Sequence, residues 1–350
     1  MNKPNLIGMP MQRLTEWIVA QGEKPFRARQ IFSGIHRSRW FSWDRFTTLA
    51  KDSRARLSEL ALLDRCEVVD ARKSADGDAE KLLLRCGDGE HIECVLLRDG
   101  KRITVCLSSQ VGCALGCAFC ATGLDGLKRN LSAAEIVDQF HALGERLREG
   151  ERITNVVLMG MGEPLMNVDA VLDAVDVLTC DLGVGLASRR ITVSTVGVVP
   201  GIEALSRHDG SMGLAVSVGS PFEGQRRKLI PISKRYPLRQ VLAAAVRYAA
   251  VKRRRLTLEY VLLKNVNDSP DHAAALATLA RNSGARINLI RFNPVGAIKY
   301  KGVKNGELDA FARMLLPTAP AVTVRKSLGA DVSAACGQLR NRLTDVHPVE

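Results

Sequence analysis

The segment CLSSQVGCALGCAFC, from Cys106 to Cys120, holds four of the chain's nine cysteines. Three of them, Cys113, Cys117 and Cys120, have the spacing C-x3-C-x2-C and follow an apolar run that reads as a strand. Gly112 and Gly116 let the backbone wrap closely around them. Thiolates this near to one another suit a soft metal ion or an iron–sulfur cluster. Zinc would want a fourth ligand, commonly from a second C-x2-C pair, and the sequence has none. A disulfide suits neither an odd trio nor a reducing compartment. A [4Fe–4S] cluster normally takes four cysteines, so with three one iron stays open to a small molecule. Cys106 stands apart, inside the strand. On spacing alone it is either a packing residue or a chemical thiol, and the same holds for Cys336 in SAACGQL. Cys66, Cys86, Cys94 and Cys180 read as packing thiols.

The elements that must position these residues begin at Arg102. RITVCLSS, ITNVVLMG, RRITVSTVG, MGLAVSVG, LTLEYVLL and ARINLIRF read as strands, and AVTVRKS as a last one before LGADVSAACGQLRNRL. Amphipathic stretches separate them. SAAEIVDQFHALGERLREG opens with the capping pair Ser132 and Glu135. Six strand–helix units in series predict an α/β fold with a parallel sheet, either doubly wound or an open barrel. Polar and glycine-rich residues gather at the strand C-termini, where both architectures place their sites. Upstream, Gly8 to Arg65 reads as helical and basic. Cys66 to Leu97 reads as short strands turning at Asp76-Gly77 and Asp88-Gly89. The expected divisions are a helical accessory domain for RNA binding over 1–65, a β-rich extension over 66–100, a core barrel with the Cys336 segment over 101–343, and a tail over 344–350.

Lysine and arginine outnumber the carboxylates by 50 to 37, a net charge of +13. That excess points to a polyanionic partner, nucleic acid foremost. It is carried by Lys252-Arg253-Arg254-Arg255, Arg226-Arg227-Lys228, Lys234-Arg235, Arg189-Arg190 and Lys128-Arg129, although each run alone also reads as a solvated helix end or loop. Phe26, Phe32, Trp40, Phe41, Trp43 and Phe46 alternate with arginines. They read first as a small core and second as a base-stacking surface. The N-terminus has no apolar run typical of a secretory signal, and no apolar run is long enough for a membrane span. The expected setting is cytoplasmic, with no membrane partner.

C-x3-C-x2-C in the loop after the first strand of a six-unit barrel resembles the signature of radical S-adenosylmethionine (SAM) enzymes. CLSSQVGCALGCAFCATG, MGMGEPL, ITVSTVGVVP, LEYVLLKNVND, RFNP and DVSAACGQL together are similar to blocks of the RlmN/Cfr family of ribosomal RNA adenine methyltransferases, in that family's order. KPFRARQI resembles the family's accessory helical domain. The resemblance implies a partial (β/α)6 radical SAM barrel, a [4Fe–4S] cluster on Cys113, Cys117 and Cys120, and SAM on the open iron. It implies methylation of an sp2 ring carbon of adenine, C2 or C8, in RNA. The RNA expected is 23S ribosomal RNA, with transfer RNA as the alternative. A non-catalytic, metal-stapled RNA-binding module is the rival from another class. The expected electron donor is a flavodoxin or ferredoxin.

The same resemblance assigns roles. Cys336 would be methylated on sulfur, lose a hydrogen from that methyl to a SAM-derived radical, and add to the adenine. Cys106 would then attack the sulfur of Cys336, freeing the RNA and leaving a Cys106–Cys336 disulfide. Glu93 matches a proton acceptor, although locally it reads as an outward-facing strand carboxylate. Gly162, Glu163, Ser194, Ser217, Val218, Gly219 and Asn293 match positions that contact SAM. Ser217-Val218-Gly219 departs from the family's Ser-Leu-His and puts the ring contact of that histidine in doubt.

Overall fold

The computed structural model describes residues 3–296, 298–325 and 328–340. Three helices come first, α1 (Met11–Ala20), α2 (Phe26–His36) and α3 (Lys51–Leu60). An antiparallel run follows, β1 (Glu67–Lys73), β2 (Ala79–Arg85) and β3 (His91–Asp99), which leads into β4 (Arg102–Cys106). The two hairpin turns of this run contain Gly77 and Gly89 at positive φ, where the sequence placed them. A short ribbon, β5 (Gln110–Gly112) and β6 (Leu127–Asn130), then brackets the cysteine loop. Thereafter come α4 (Ala133–Gly144), β7 (Asn155–Leu158), α5 (Val168–Thr179), β8 (Ile191–Thr195), α6 (Val199–Arg207), β9 (Gly213–Ser217), α7 (Glu223–Leu229), α8 (Leu238–Lys252), β10 (Thr257–Leu262), α9 (Pro270–Ser283), β11 (Arg286–Arg291), α10 (Asn305–Leu315) and β12 (Val322–Arg325). The N-terminus of α4 carries the predicted capping box, with both the Ser132 and Glu135 bonds made.

β4, β7, β8, β9, β10, β11 and β12 pair side by side in chain order, and each of these pairs is parallel. A doubly wound sheet would reverse its order part-way. Unreversed order with helical crossovers makes a barrel, and helices on the outer face bury the strands on both sides. The barrel stays open. The far edge of β4 is taken by antiparallel β3, and β12 pairs only with β11 among the described residues.

The N-terminal helices enclose Leu14, Ile18, Ile31, Phe32, Ile35, Phe46 and Leu57, all fully buried. Trp40 and Trp43 pack on Phe46 with centroids 5.4 and 5.6 Å apart, so most of the aromatics interleaved with arginines serve as core. Phe26 stays 47% exposed. This unit is continuous with the barrel core. A Cβ on Gly8 would lie 2.1 Å from the Ala134 amide in the first turn of α4, so only glycine allows that approach. Arg65 extends the joint by donating to Asp138 and Glu145 of the α4 side at 2.6 Å each, with its guanidinium 4.3 Å over the Phe41 ring. The Cys66 amide donates to the other Asp138 oxygen at 2.7 Å.

Asp138 is buried, so its removal leaves a buried guanidinium edge and an amide without their acceptor. Asp138→Ala is expected to cost about 3 kcal/mol in denaturant unfolding. It should also open the N-terminal helices to limited proteolysis before the barrel.

Candidate active site

The residues singled out in the sequence collect at the C-terminal ends of the parallel strands. Cys106 ends β4, Glu163 follows β7, Ser194 lies near the end of β8, Ser217 ends β9 and Asn293 follows β11. The loop carrying Cys113, Cys117 and Cys120 is fastened at both sides. The Cys113 amide donates to the Gly126 carbonyl at 2.8 Å, and the Ala118 amide donates to the Leu229 carbonyl at 2.9 Å. Gly112 turns at φ +77°, and a Cβ there would lie 2.0 Å from the Gly126 oxygen. Cys117 and Phe119 pack against a small cluster of Leu229, Ile230, Leu263 and Phe292.

All three thiols are half-buried. Burial, then the neighbouring Cys120 charge, pushes Cys113 up to about 11, and burial pushes Cys117 up as well. Such thiols ionise when a soft metal takes them as ligands. Among the described residues no three candidate ligands converge at the spacing of a single metal ion. A multi-iron cluster, whose ligands stand further apart, does not need that convergence. The donor set fits a cluster: three cysteines on one glycine-shaped loop, with polar groups and a buried carboxylate beside them.

That carboxylate is Glu163. It accepts from the Leu165 amide at 3.2 Å and the Val196 amide at 3.0 Å, and burial raises it to about 7. Gly162 has φ +96°, and a Cβ would lie 2.5 Å from Gln110, whose side chain accepts from the Glu163 amide at 2.8 Å. The half-buried Ser194 and the buried Asn293 make no side-chain hydrogen bond among the described residues. Their polar groups are free for a ligand.

Ser217, Val218 and Gly219 are already engaged through the backbone. Arg226 donates to the Ser217, Val218 and Val196 carbonyls at 3.1, 2.7 and 2.6 Å. The Val218 amide donates to Glu259, and the Val218 side chain is fully buried. Its carbonyl also accepts from the Ser220 amide at 2.8 Å, so both of its lone pairs are taken. Gly219, standing where the resembling family has histidine, takes φ +68°, and a Cβ would meet Ile230 at 2.8 Å. The loss of the imidazole thus goes with a left-handed turn that disfavours any side chain.

The segment around Cys336 is fastened beside the cysteine loop and comes within electrostatic reach of Cys106. The Ala121 amide donates to the Gly337 carbonyl, and the Thr122 hydroxyl to the Leu339 carbonyl, both at 2.8 Å. Gln338 donates to Pro294 at 3.2 Å, and Arg340 makes two bonds to Asp125 at 2.7 Å each. Cys106 is buried, which pushes its thiol up to about 12, with negative charge at Cys336 adding to the effect. Arg325, at the end of β12, acts the other way and is itself held protonated by charge at Cys336, Glu259 and Cys106. One guanidinium nitrogen of Arg325 lies 3.6 Å from the Met159 sulfur.

Two readings from local sequence need correction. Glu93 does not face outward; it is 5% exposed, pairs with Lys81 at 2.7 Å and accepts the Arg340 amide at 2.7 Å. Arg226 does not belong to a solvent-facing basic run; it is 0% exposed, because three strand-end carbonyls require its donors. Lys128 and Arg129 are likewise neutralised, by Glu90 and by Asp88 with Glu135. Sequence reasoning missed Arg226, Arg325, Lys81 and Gln110 as site residues. A lysine among the buried positions of AEKLLLR was a signal for one of them. Cys66, Cys86 and Cys94 are buried, as packing thiols would be, with the first two sulfurs 3.9 Å apart. Cys180 is half-buried.

An open parallel barrel with three cysteines in its first strand–helix loop defines a class, the radical SAM enzymes, which use a [4Fe–4S] cluster and SAM. Residues 107–277 match the model of the radical SAM superfamily, and residues 4–63 match that of the ribosomal RNA large subunit methyltransferase N-terminal domain. The probable dual-specificity RNA methyltransferase RlmN of Moorella thermoacetica is 46% identical over 342 residues, covering 96% of this chain and 97% of that one. The dual-specificity RNA methyltransferase RlmN of Saccharophagus degradans is 41% identical, covering 98% and 88%. The crystal structure of a radical SAM methyltransferase from Sphaerobacter thermophilus superposes with a TM-score of 0.92 at 42% identity, covering 97% of this chain and all of that one. The chain therefore belongs to the radical SAM superfamily and, within it, to the RlmN family.

Arg226→Leu would take their shared donor from three strand-end carbonyls and lose a fully buried side chain's hydrogen bonds. It is expected to cost about 3–5 kcal/mol in denaturant unfolding. SAM retention in equilibrium dialysis should fall with it.

Proposed function

We propose that this chain methylates an sp2 ring carbon of adenine, C2 or C8, in RNA, through an S-methylcysteine at Cys336. The RNA favoured is 23S ribosomal RNA, and transfer RNA is second. One observation carries the reading: the C-terminal segment seats Cys336 against the cysteine loop and within electrostatic reach of Cys106. A cluster site alone needs neither thiol. The relatives' names, which describe RNA methyltransferases, support RNA as the substrate.

When bound at Cys113, Cys117 and Cys120, the cluster with SAM supplies a hydrogen-abstracting radical. The rest falls to the chain. Glu163 holds the SAM amino group, Gly162 lets backbone approach it, and Ser194 and Asn293 offer the free hydroxyl and amide to its nucleoside end. Cys336 accepts a methyl group on sulfur and gives up its thiol proton. Through that carbon, after loss of one hydrogen, it bonds the adenine ring, and the odd electron of that adduct would pass to the bound cluster. Glu93, paired with Lys81, takes up the ring proton. Cys106 starts as the thiol because burial disfavours its charge, and Arg325 lowers the cost of the thiolate that must attack. Attack on the Cys336 sulfur breaks its bond to the transferred carbon, which keeps the electron pair and takes up a proton to become the methyl group, and forms the Cys106–Cys336 disulfide. Two electrons and two protons reopen it, from a thiol reductant. The single electron for each radical step comes from a flavodoxin or ferredoxin. Among the described residues no helix is long and apolar enough to cross a membrane. A cytoplasmic setting, reducing enough to reopen the disulfide, completes the reading.

The deciding experiment is mass spectrometry of digested RNA after reaction with the reconstituted, reduced protein, to locate a new methyl on the adenine ring. RNA without any new ring methyl would defeat the proposal. Cys336→Ala should abolish methylation while iron content stays unchanged. Cys106→Ala should accumulate a covalent protein–RNA adduct, visible as a shifted band in denaturing gels. The Glu163 carboxyl, raised to about 7, is protonated below that pH and must ionise to hold an ammonium. SAM affinity should accordingly weaken roughly tenfold per pH unit below about 7. Calorimetry in buffers of different ionisation enthalpy should record proton release on binding, and Glu163→Gln should flatten the profile.

A further inference from the structure

We propose that the end of the barrel opposite the active site is a second contact surface for RNA phosphates, so that the substrate is a folded RNA reaching past the barrel's side. The inference rests on the RNA reading above. Arg189 and Arg190 immediately precede β8, Arg253 to Arg255 precede β10, and Arg286 opens β11. All lie at strand N-termini, whereas the cysteines, Glu163 and Asn293 lie at or beyond the C-termini. Strands of five or six residues separate the two ends by roughly 17–20 Å.

The three arginine-bearing segments are knitted into one surface. Arg254 donates to the Arg189 carbonyl at 3.3 Å, the Ser211 amide donates to the Ser188 hydroxyl at 3.2 Å, and the Ser211 hydroxyl donates to the Lys252 carbonyl at 2.9 Å. Arg286 donates to the Thr257 hydroxyl at 3.0 Å, which ties β11 to β10. Arg189, Arg190, Arg253, Arg255 and Arg286 are exposed. Among the described residues none of the six arginines forms an ion pair. Elsewhere the chain neutralises its cations readily, as at Arg129, Lys128 and Arg340. Here like charges from separate segments stand together without an ion-paired carboxylate, the buried Glu259 being the one that feels Arg286, and the exposed excess raises the local potential and favours a polyanion. Arginine predominates, and its planar fork matches phosphate oxygens in pairs. Phosphate contacts of this kind position an RNA without reading its sequence. They suit a surface that never meets the target base.

The test uses the full chain with its cluster reconstituted. The variant combines R189Q, R190Q, R253Q and R286Q and leaves in place Arg254 and Arg255, which brace neighbouring carbonyls. Binding of a long folded RNA and of a short hairpin carrying the same target loop is followed against salt. The long RNA should bind about tenfold more weakly, and the slope of log affinity against log salt should lose about two to three units. The short hairpin and RNA-independent formation of 5′-deoxyadenosine should be unaffected. Equal losses on both RNAs, or none on the long one, overturn the proposal. So does a variant that loses binding only to vesicles of anionic lipid. A wild-type protein that shows the length-dependent salt slope but leaves adenine unmethylated would defeat the methylation reading while upholding this surface.

Discussion

The hydrogen bond from the Ala121 amide to the Gly337 carbonyl ties the loop of the three cysteines to the segment of Cys336. The proposed use of Cys336 depends on that seating. Thr122 with Leu339 and Asp125 with Arg340 repeat the tie along the same stretch, so the two loops are held in register. The Arg340 amide, in turn, satisfies Glu93, and Glu93 answers Lys81. A buried carboxylate, a buried ammonium and a backbone donor thus balance one another where any one alone would be costly.

Much of this was open to inspection in the chain itself. The strands from Arg102 onward appear within a few residues of their expected limits, because strands covered on both faces must be apolar along their whole length. The capping box at Ser132 and the turns at Gly77 and Gly89 are local devices, and local devices can be read locally. The choice between a doubly wound sheet and a barrel could not be made from the strands themselves; only the family resemblance pointed to the barrel. It depends on which strand lies beside which, and each strand's own composition suits either arrangement.

Glu93 and Arg226 show the other limit. The partner that gives Glu93 its place lies 247 residues away in the chain, and no window around HIECVLL contains it. Arg226 sits beside Arg227 and Lys228, yet one side chain is fully buried while its neighbours are exposed. The difference is made by carbonyls at the ends of β8 and β9, which converge only once the strands have paired. The four cysteines of the opening segment divide in the same manner: spacing groups three of them, and only the fold brings Cys106 to Cys336.

The antiparallel hairpin on β4 leaves β12 without a partner on its outer side among the described residues, and the chain beyond β12 fills that seam as coil, touching Lys81 and Ala75 through Ser333 and Asp331. A strand in that place would be clamped by a ladder of amide bonds. A coil is pinned by separate fastenings that can let go singly. The wall of the vessel is therefore closed, on the side that bears Cys336, by individual bonds that substitutions could remove one at a time.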